Sequence, residues 1–232
     1  TKFNELGFFP RPFKFPMKFQ KNILLKNYTT FKIGGPARYF CIVKNKTDLT
    51  EAIIFSKKAR LPYFILGGGS NLLVSDKGFN GLVIKIQNMS LRDISRRETK
   101  FKTIYAGAGI SLAKLVSIAS EAGLSGMEWA SGIPGATLGG AVRGNAGAFD
   151  SEVKDIVVTV EALDARNLKI KNFNNRACQF SYRSSIFKKN PNLIILSCKL
   201  KLKKQKKEEI KKKTREILNY RKSHHPFNPS AG

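Results

Sequence analysis

Two stretches of the chain carry residue types suited to gripping a ligand with the backbone. Trp129 to Ala148 reads WASGIPGATLGGAVRGNAGA, six glycines in twenty residues with Pro134 between two of them. Leu66 to Asn71 reads LGGGSN and follows an apolar run, Tyr63 to Leu66. Glycine is selected where φ is positive or where something must approach the main chain closely. The expected working surface is therefore a set of main-chain N–H groups. Successive N–H groups in turns form concavities that take anions, and two such loops in one chain suit a pyrophosphate. Neither loop is followed by the Gly-Lys-Ser/Thr of a nucleotide-triphosphate loop. Neither has the G-x-G-x-x-G that opens a helix in dinucleotide folds, and Gly107-Ala108-Gly109 lacks the third glycine. The plain alternative for each loop is a tight turn.

The flanking sequence predicts the elements that would hold these loops. Arg38 to Val43 reads as a strand after a turn over Thr29, Thr30, Gly34, Gly35 and Pro36. Thr47 is placed to cap a helix running to Ala59 on Leu49, Ala52, Ile53 and Phe55, imperfect in period. Strands follow at Tyr63 to Leu66 and Leu82 to Ile86, giving a β-α-β unit with the first glycine loop at a strand's carboxyl end, where α/β sheets bind ligands. A second unit has a strand over Thr103 to Ala106 and a helix capped by Ser111. Its apolar residues Leu112, Leu115, Val116 and Ala119 are well spaced, and Gly123 stands at its end. The glycine stretch comes next, as loop. Then follow a strand from Ile156 to Asp164, a turn at Ala165 to Asn167 and a half-exposed strand from Leu193 to Leu202. Lys203 to Arg221 reads as a largely solvated helix, with Ile210, Ile217 and Leu218 at helical spacing and Glu208–Lys212 and Glu209–Lys213 at i, i+4.

The 232 residues suffice for one large or two modest domains. With 42% hydrophobic and 25% charged residues, the composition is that of a soluble globular protein. The formal charge of +26 raises nucleic acid as a partner. The lysines, however, are spread over strands, loops and helices alike, which fits a compositional bias, so nucleic-acid binding is not expected. Cys41, Cys178 and Cys198 lie far apart with no metal spacing. An odd count of cysteines with no apolar leader points to a reducing cytosol. No run approaches the roughly 18 to 20 apolar residues of a membrane span. The expectation is a cytoplasmic protein with no metal. The first 24 residues, with Pro10, Pro12 and Pro16 among phenylalanines, read as an arm packed on the body.

LGGGSNLLVSDKGFNGLVI (Leu66 to Ile84), AGAG (Ala106 to Gly109), SGIPGATLGGAVRGNAGAF (Ser131 to Phe149) and FSYRSSIF (Phe180 to Phe187) occur in that order. This series resembles the UDP-N-acetylenolpyruvoylglucosamine reductase family, flavoenzymes of bacterial peptidoglycan precursor synthesis. The resemblance covers about Tyr28 to Gly232. It implies an α+β fold with a two-lobed FAD-binding domain of the vanillyl-alcohol-oxidase (PCMH) type: an arm at 1–24, lobes at 25–88 and 89–204, and at 205–232 a linker helix with the start of a substrate domain. It implies non-covalent FAD, NADPH as reductant and a UDP-sugar substrate, and a monomer is expected. Thr30, Gly34, Gly35, Gly67, Gly68, Gly69, Ser70 and Asn71 match positions that hold the flavin nucleotide. Gly132, Ile133, Pro134, Thr137, Gly139, Gly140, Asn145, Gly147 and Ala148 match positions that line the FAD beyond it.

Tyr182 and Arg183 match the family's catalytic Tyr-Arg pair. There the arginine lies near the substrate carboxylate and steadies the enolate-like charge formed on hydride transfer. A guanidinium stays charged and can grip a carboxylate with two parallel hydrogen bonds. Without the resemblance, Arg183 reads as one more surface cation. In the family a proton-donating serine follows PSAG, and a later domain adds a glutamate; this sequence stops at Gly232, and Ser230 is the serine of PSAG itself. The expectation is an intact FAD-binding region with an incomplete catalytic apparatus. Two rivals stay open: an oxidase of the same superfamily, and a basic nucleic-acid-binding module.

Overall fold

The computed structural model describes residues 17–87, 90–93, 100–225 and 229. The expected arm at 1–24 lies largely outside these residues, as does Ser230.

The first half builds a four-stranded sheet from β1 (Gln20–Leu24), β2 (Pro36–Val43), β3 (Tyr63–Leu66) and β4 (Phe79–Ile86), with helix α1 (Lys46–Lys58) between β2 and β3. The order across the sheet is β1-β2-β4-β3, so β4 slots between β2 and β3, parallel to both. Alternation in β4 divides the sheet. Leu82 and Ile84 pack with Leu49, Ile53 and Phe55 of α1, whereas Val83 joins Leu25, Ala37, Phe40 and Leu66 on the opposite face. The α1 cap is Asn45, not Thr47: its side chain accepts from the Asp48 N–H at 2.9 Å while the Lys44 N–H donates to Asp48 Oδ2. Asn is as good a cap as Thr, and the bond its side chain accepts from the Asp48 N–H decides between them.

The second half builds a larger sheet from β5 (Leu91–Asp93), β6 (Phe101–Gly107), β10 (Val157–Asp164), β11 (Lys169–Asn174) and β12 (Leu193–Lys204), in the order β11-β10-β12-β6-β5. The two-residue β7 (Leu124–Ser125) pairs with the end of β12. Helix α2 (Leu112–Glu121) is capped by Ser111, whose side chain accepts from the Lys114 N–H at 3.2 Å, and it closes before Gly123 at φ +67°. Residues 193–198 of β12 are buried on both faces, so the expected half-exposed pattern holds only for its second part. The hairpin strand β11 was not foreseen beyond its turn.

Helix α3 (Leu138–Gly144) corrects the reading of the glycine stretch as continuous loop. Thr137 caps it and Asn145, at φ +43°, ends it. The remaining pieces are the small pair β8 (Gly147–Ala148) and β9 (Ser151–Glu152), the single turn α4 (Ile186–Lys189) and α5 (Lys207–His224). Neither expected i, i+4 ion pair forms on α5: Glu209 accepts from Gln205 at 2.8 Å, and Lys211 pairs with Glu121 of α2. One hydrophobic core runs from Tyr39 and Ile53 of the first sheet through Leu112 and Trp129 to Leu163 and Leu200 of the second. All three cysteines are buried thiols, and burial pushes Cys41 and Cys178 up to about 12. No described helix is long and apolar enough to cross a membrane.

Candidate functional site

The two glycine segments meet. A side chain at Gly68 would place its Cβ 1.5 Å from the Gly135 carbonyl oxygen, and one at Gly67 would lie 2.7 Å from Thr137 Oγ1. Thr30 completes the contact: its N–H donates to the Gly69 carbonyl at 3.2 Å, and its methyl lies 3.0 Å from where a Cβ on Gly135 would stand. Here the glycines serve loop-to-loop approach, with main chain against main chain.

That contact leaves donors unspent. Among the described residues, the N–H groups of Gly67, Gly68, Gly69, Ser70 and Asn71 meet no protein acceptor, nor do those of Gly135, Ala136 and Thr137. Backbone donors normally find a partner, in the protein, in ordered water or in what the protein binds. Eight of them across two touching loops, the first at the carboxyl end of the parallel strand β3, form a concavity of the kind that takes a phosphate-bearing anion. The residues present fit a phosphate-bearing cofactor such as FAD.

Other expected site residues stand elsewhere. Gly34 and Gly35 lie under the segment after the first loop: a Cβ on Gly35 would sit 1.9 Å from the Asp76 carbonyl oxygen, and its N–H donates to Ser75. Gly132 and Ile133 lead into the second loop, with Gly132 (φ +76°) against Leu218 and Arg221 of α5. Pro134 is exposed beside it. Gly139 packs on Ala108, and the Gly140 N–H donates to Thr137 Oγ1.

Asn145, Gly147, Ala148, Tyr182 and Arg183 line a second feature, a cleft of about 420 Å³ that also includes Asp150, Ser151, Glu152, Lys154 and Asp155. This volume falls in the range of small-molecule sites. Asn145 is 1% exposed and joins three segments: its amide donates to the Ser181 carbonyl at 3.0 Å, and its oxygen accepts from the Lys154 N–H at 3.3 Å. Ser181 and Ser184 bond reciprocally, so Tyr182 and Arg183 form the tip of a tight turn. Arg183 sits there at φ +52°, and Lys188 Nζ holds its carbonyl at 2.8 Å. A non-glycine residue in this region costs roughly 1 to 2 kcal/mol, so the turn keeps its shape through these outside bonds. Both side chains reach outward, Tyr182 with 85% exposure. Glu152 is held below its usual range, first by Lys154 and in small part by Arg183.

Lys85 and Arg221, which the sequence reading did not single out, touch the two glycine segments. Lys85 interrupts the apolar strand GLVIKI, which is the signal that was present. Its ammonium donates to the Gly67 carbonyl at 3.0 Å. Arg221 donates to the Trp129 carbonyl at 3.3 Å and lies over the Phe149 ring, but its partners are too far along the chain to be read from spacing.

Residues 37–168 match the family of FAD binding domains. The UDP-N-acetylenolpyruvoylglucosamine reductase of Caldanaerobacter subterraneus subsp. tengcongensis is 44% identical over 216 residues, 93% of this chain and 69% of that protein. The chain belongs to this reductase family. The crystal structure of the UDP-N-acetylenolpyruvylglucosamine reductase of Thermus caldophilus superposes with a TM-score of 0.77 at 36% identity, over 93% of this chain and 73% of that one. A vanillyl-alcohol-oxidase-type flavoprotein of Myceliophthora thermophila shares the fold alone, with a TM-score of 0.58 at 18% identity over 73% of this chain and 32% of that one. The fold class is therefore the FAD-binding α+β type, in a chain from a family of FAD-dependent oxidoreductases.

Proposed function

We propose that the chain binds FAD non-covalently and serves the NADPH-dependent reduction of UDP-N-acetylglucosamine enolpyruvate to UDP-N-acetylmuramate, in peptidoglycan precursor synthesis. The observation that carries the reading is the pair of touching glycine loops with eight N–H groups that meet no protein acceptor. Bound FAD supplies the hydride; the protein supplies binding, orientation and electrostatics.

In this reading the N–H groups of residues 67–71 and of Gly135, Ala136 and Thr137 take the pyrophosphate. The side from Gly132 to Ala148 lines the rest of the cofactor. Arg183 faces the substrate: its guanidinium grips the carboxylate and meets negative charge as it develops, a term often worth 10²- to 10³-fold in rate. Tyr182 stands beside it at the rim of the same cleft. Asn145 orients both by pinning the Ser181 carbonyl. The two-lobe division at about residue 88 fits the two sheets, while the shared core makes them one packed body.

The first test is a visible spectrum of the desalted protein, with the released cofactor identified after denaturation. Bound or reconstituted FAD, with NADPH consumed only when the enolpyruvyl sugar nucleotide is present, supports the reading. A colourless protein that takes up no added FAD overturns it. Oxygen consumption with a sugar or alcohol donor would reassign the chain to the oxidases that share its fold.

A further inference from the structure

Lys85 is half-buried and level with Leu66, the residue before the first glycine loop, in the parallel register of β3 and β4. It stands on the same sheet face as Val83, under the loop and away from α1. Its ammonium has three protons to donate. One goes to the Gly67 carbonyl at 3.0 Å, and the ring of Tyr28 lies 5.5 Å from Nζ. No carboxylate among the described residues pairs with it.

A half-buried lysine without a counter-ion is costly unless something anionic arrives. The loop it supports offers five N–H groups in a row and no carboxylate. We propose that Lys85 is the cation of the pyrophosphate site, fixing the Gly67 peptide from below and setting a positive charge behind the N–H cradle for the dinucleotide's phosphates. This rests on the FAD reading above. The Gly67 carbonyl, held downward by Lys85, leaves the following N–H groups to face the ligand. Tyr28 braces the ammonium and in turn packs on Phe40 at 4.6 Å. Burial lowers the Lys85 pKa in the ligand-free protein, and an adjacent phosphate acts in the opposite sense.

The test titrates apo-protein with FAD and, separately, with riboflavin, which has the ring but no phosphate. Lys85→Met is compared with wild type, Lys85→Gln and Lys85→Arg, and thermal unfolding of each apo-protein is recorded. Lys85→Met and Lys85→Gln are expected to weaken FAD by roughly tenfold, as for loss of one positive charge near the phosphates, leaving riboflavin unchanged. Lys85→Arg keeps most of the affinity. Equal weakening of FAD and riboflavin, or no weakening of either, overturns the proposal, with Lys85→Gln deciding should the methionine variant not fold. Wild type that binds neither flavin overturns the cofactor reading itself, a separate outcome.

Discussion

Replacing Gly68 with alanine is the most direct probe of how the two loops share one site. The new methyl would stand 1.5 Å from the Gly135 carbonyl oxygen and 2.7 Å from its carbon, whereas real Cβ atoms almost never come within 3.0 Å of another heavy atom. The loops would therefore part by about 1.5 Å, because both clashing atoms are backbone and no rotamer relieves them. A donor 2.9 Å from a phosphate oxygen that retreats this far no longer bonds it. Losing one or two such charge-assisted bonds, at about 1.5 to 3 kcal/mol each, predicts roughly a hundredfold weaker FAD binding. The apo-protein should lose about 1 to 3 kcal/mol. Gly68 is not among the positive-φ residues, so the substitution tests space and not backbone conformation. Gly144→Ala is the control: nothing lies within 4 Å of its added Cβ, and alanine in a helix gains about 0.5 to 1 kcal/mol over glycine. Fluorescence titration of apo-protein with FAD, paired with thermal unfolding, reads both. Unchanged FAD affinity in Gly68→Ala would mean that the contact between the loops has no part in holding the cofactor.

Arg183→Ala should weaken binding of the enolpyruvyl sugar nucleotide, read from the flavin spectrum, by roughly tenfold to a hundredfold with flavin content unchanged; loss of flavin as well would make Arg183 a structural residue. Asn145→Ala removes two buried hydrogen bonds and forces a left-handed backbone on alanine, so thermal unfolding should register about 2 to 3 kcal/mol lost, with faster amide exchange around Ser184. Asp164 is fully buried and accepts from the Arg166 guanidinium at 2.7 and 2.9 Å, with Lys171 at 3.0 Å, which holds its carboxyl far below the usual range. A depressed folded-state pKa gives stability that is present above the ordinary carboxylate pKa of about 4 and lost as pH falls below it. Asp164→Asn should therefore be less stable at pH 7, on the order of 1 kcal/mol because both cations are half exposed. It should also lose stability less steeply on acidification, which melting curves from pH 7 to pH 3 would show.

What the sequence disclosed follows from how local each signal is. Helix α2 was legible because Ser111, the apolar spacing and Gly123 lie within thirteen residues and agree. Helix α3 was not, since its glycines argue against helix locally and it is held from outside, by Ala108 behind Gly139 and by the caps Thr137 and Asn145. The glycine loops announced a backbone-built site but not that Gly68 and Gly35 face other backbone. Glycine looks the same whether it admits a ligand or a neighbouring loop. Tyr182 and Arg183 were singled out through resemblance to a family; their tight turn and its anchor at Asn145 are tertiary facts. Lys85 could have been seen as the one charge inside an apolar strand, yet its partner at Gly67 depends on the register of β3 against β4.

The position of β4 and β12 within their sheets also governs when the protein can fold during synthesis. β2 and β3 have no partner for their facing edges until β4, ending at Ile86, has been made. In the second sheet β12 is the central strand, between β10 and β6, and it is the last of that sheet's strands to be translated. A ribosome that has reached residue 190 has produced nearly all of the second lobe's apolar surface without the strand that joins its halves. Such long-range closure is slow, and the open edges of β6 and β10 invite pairing with other chains in the interval. The yield of this protein in a cell is thus expected to depend on the time between translation of β10 and arrival of β12.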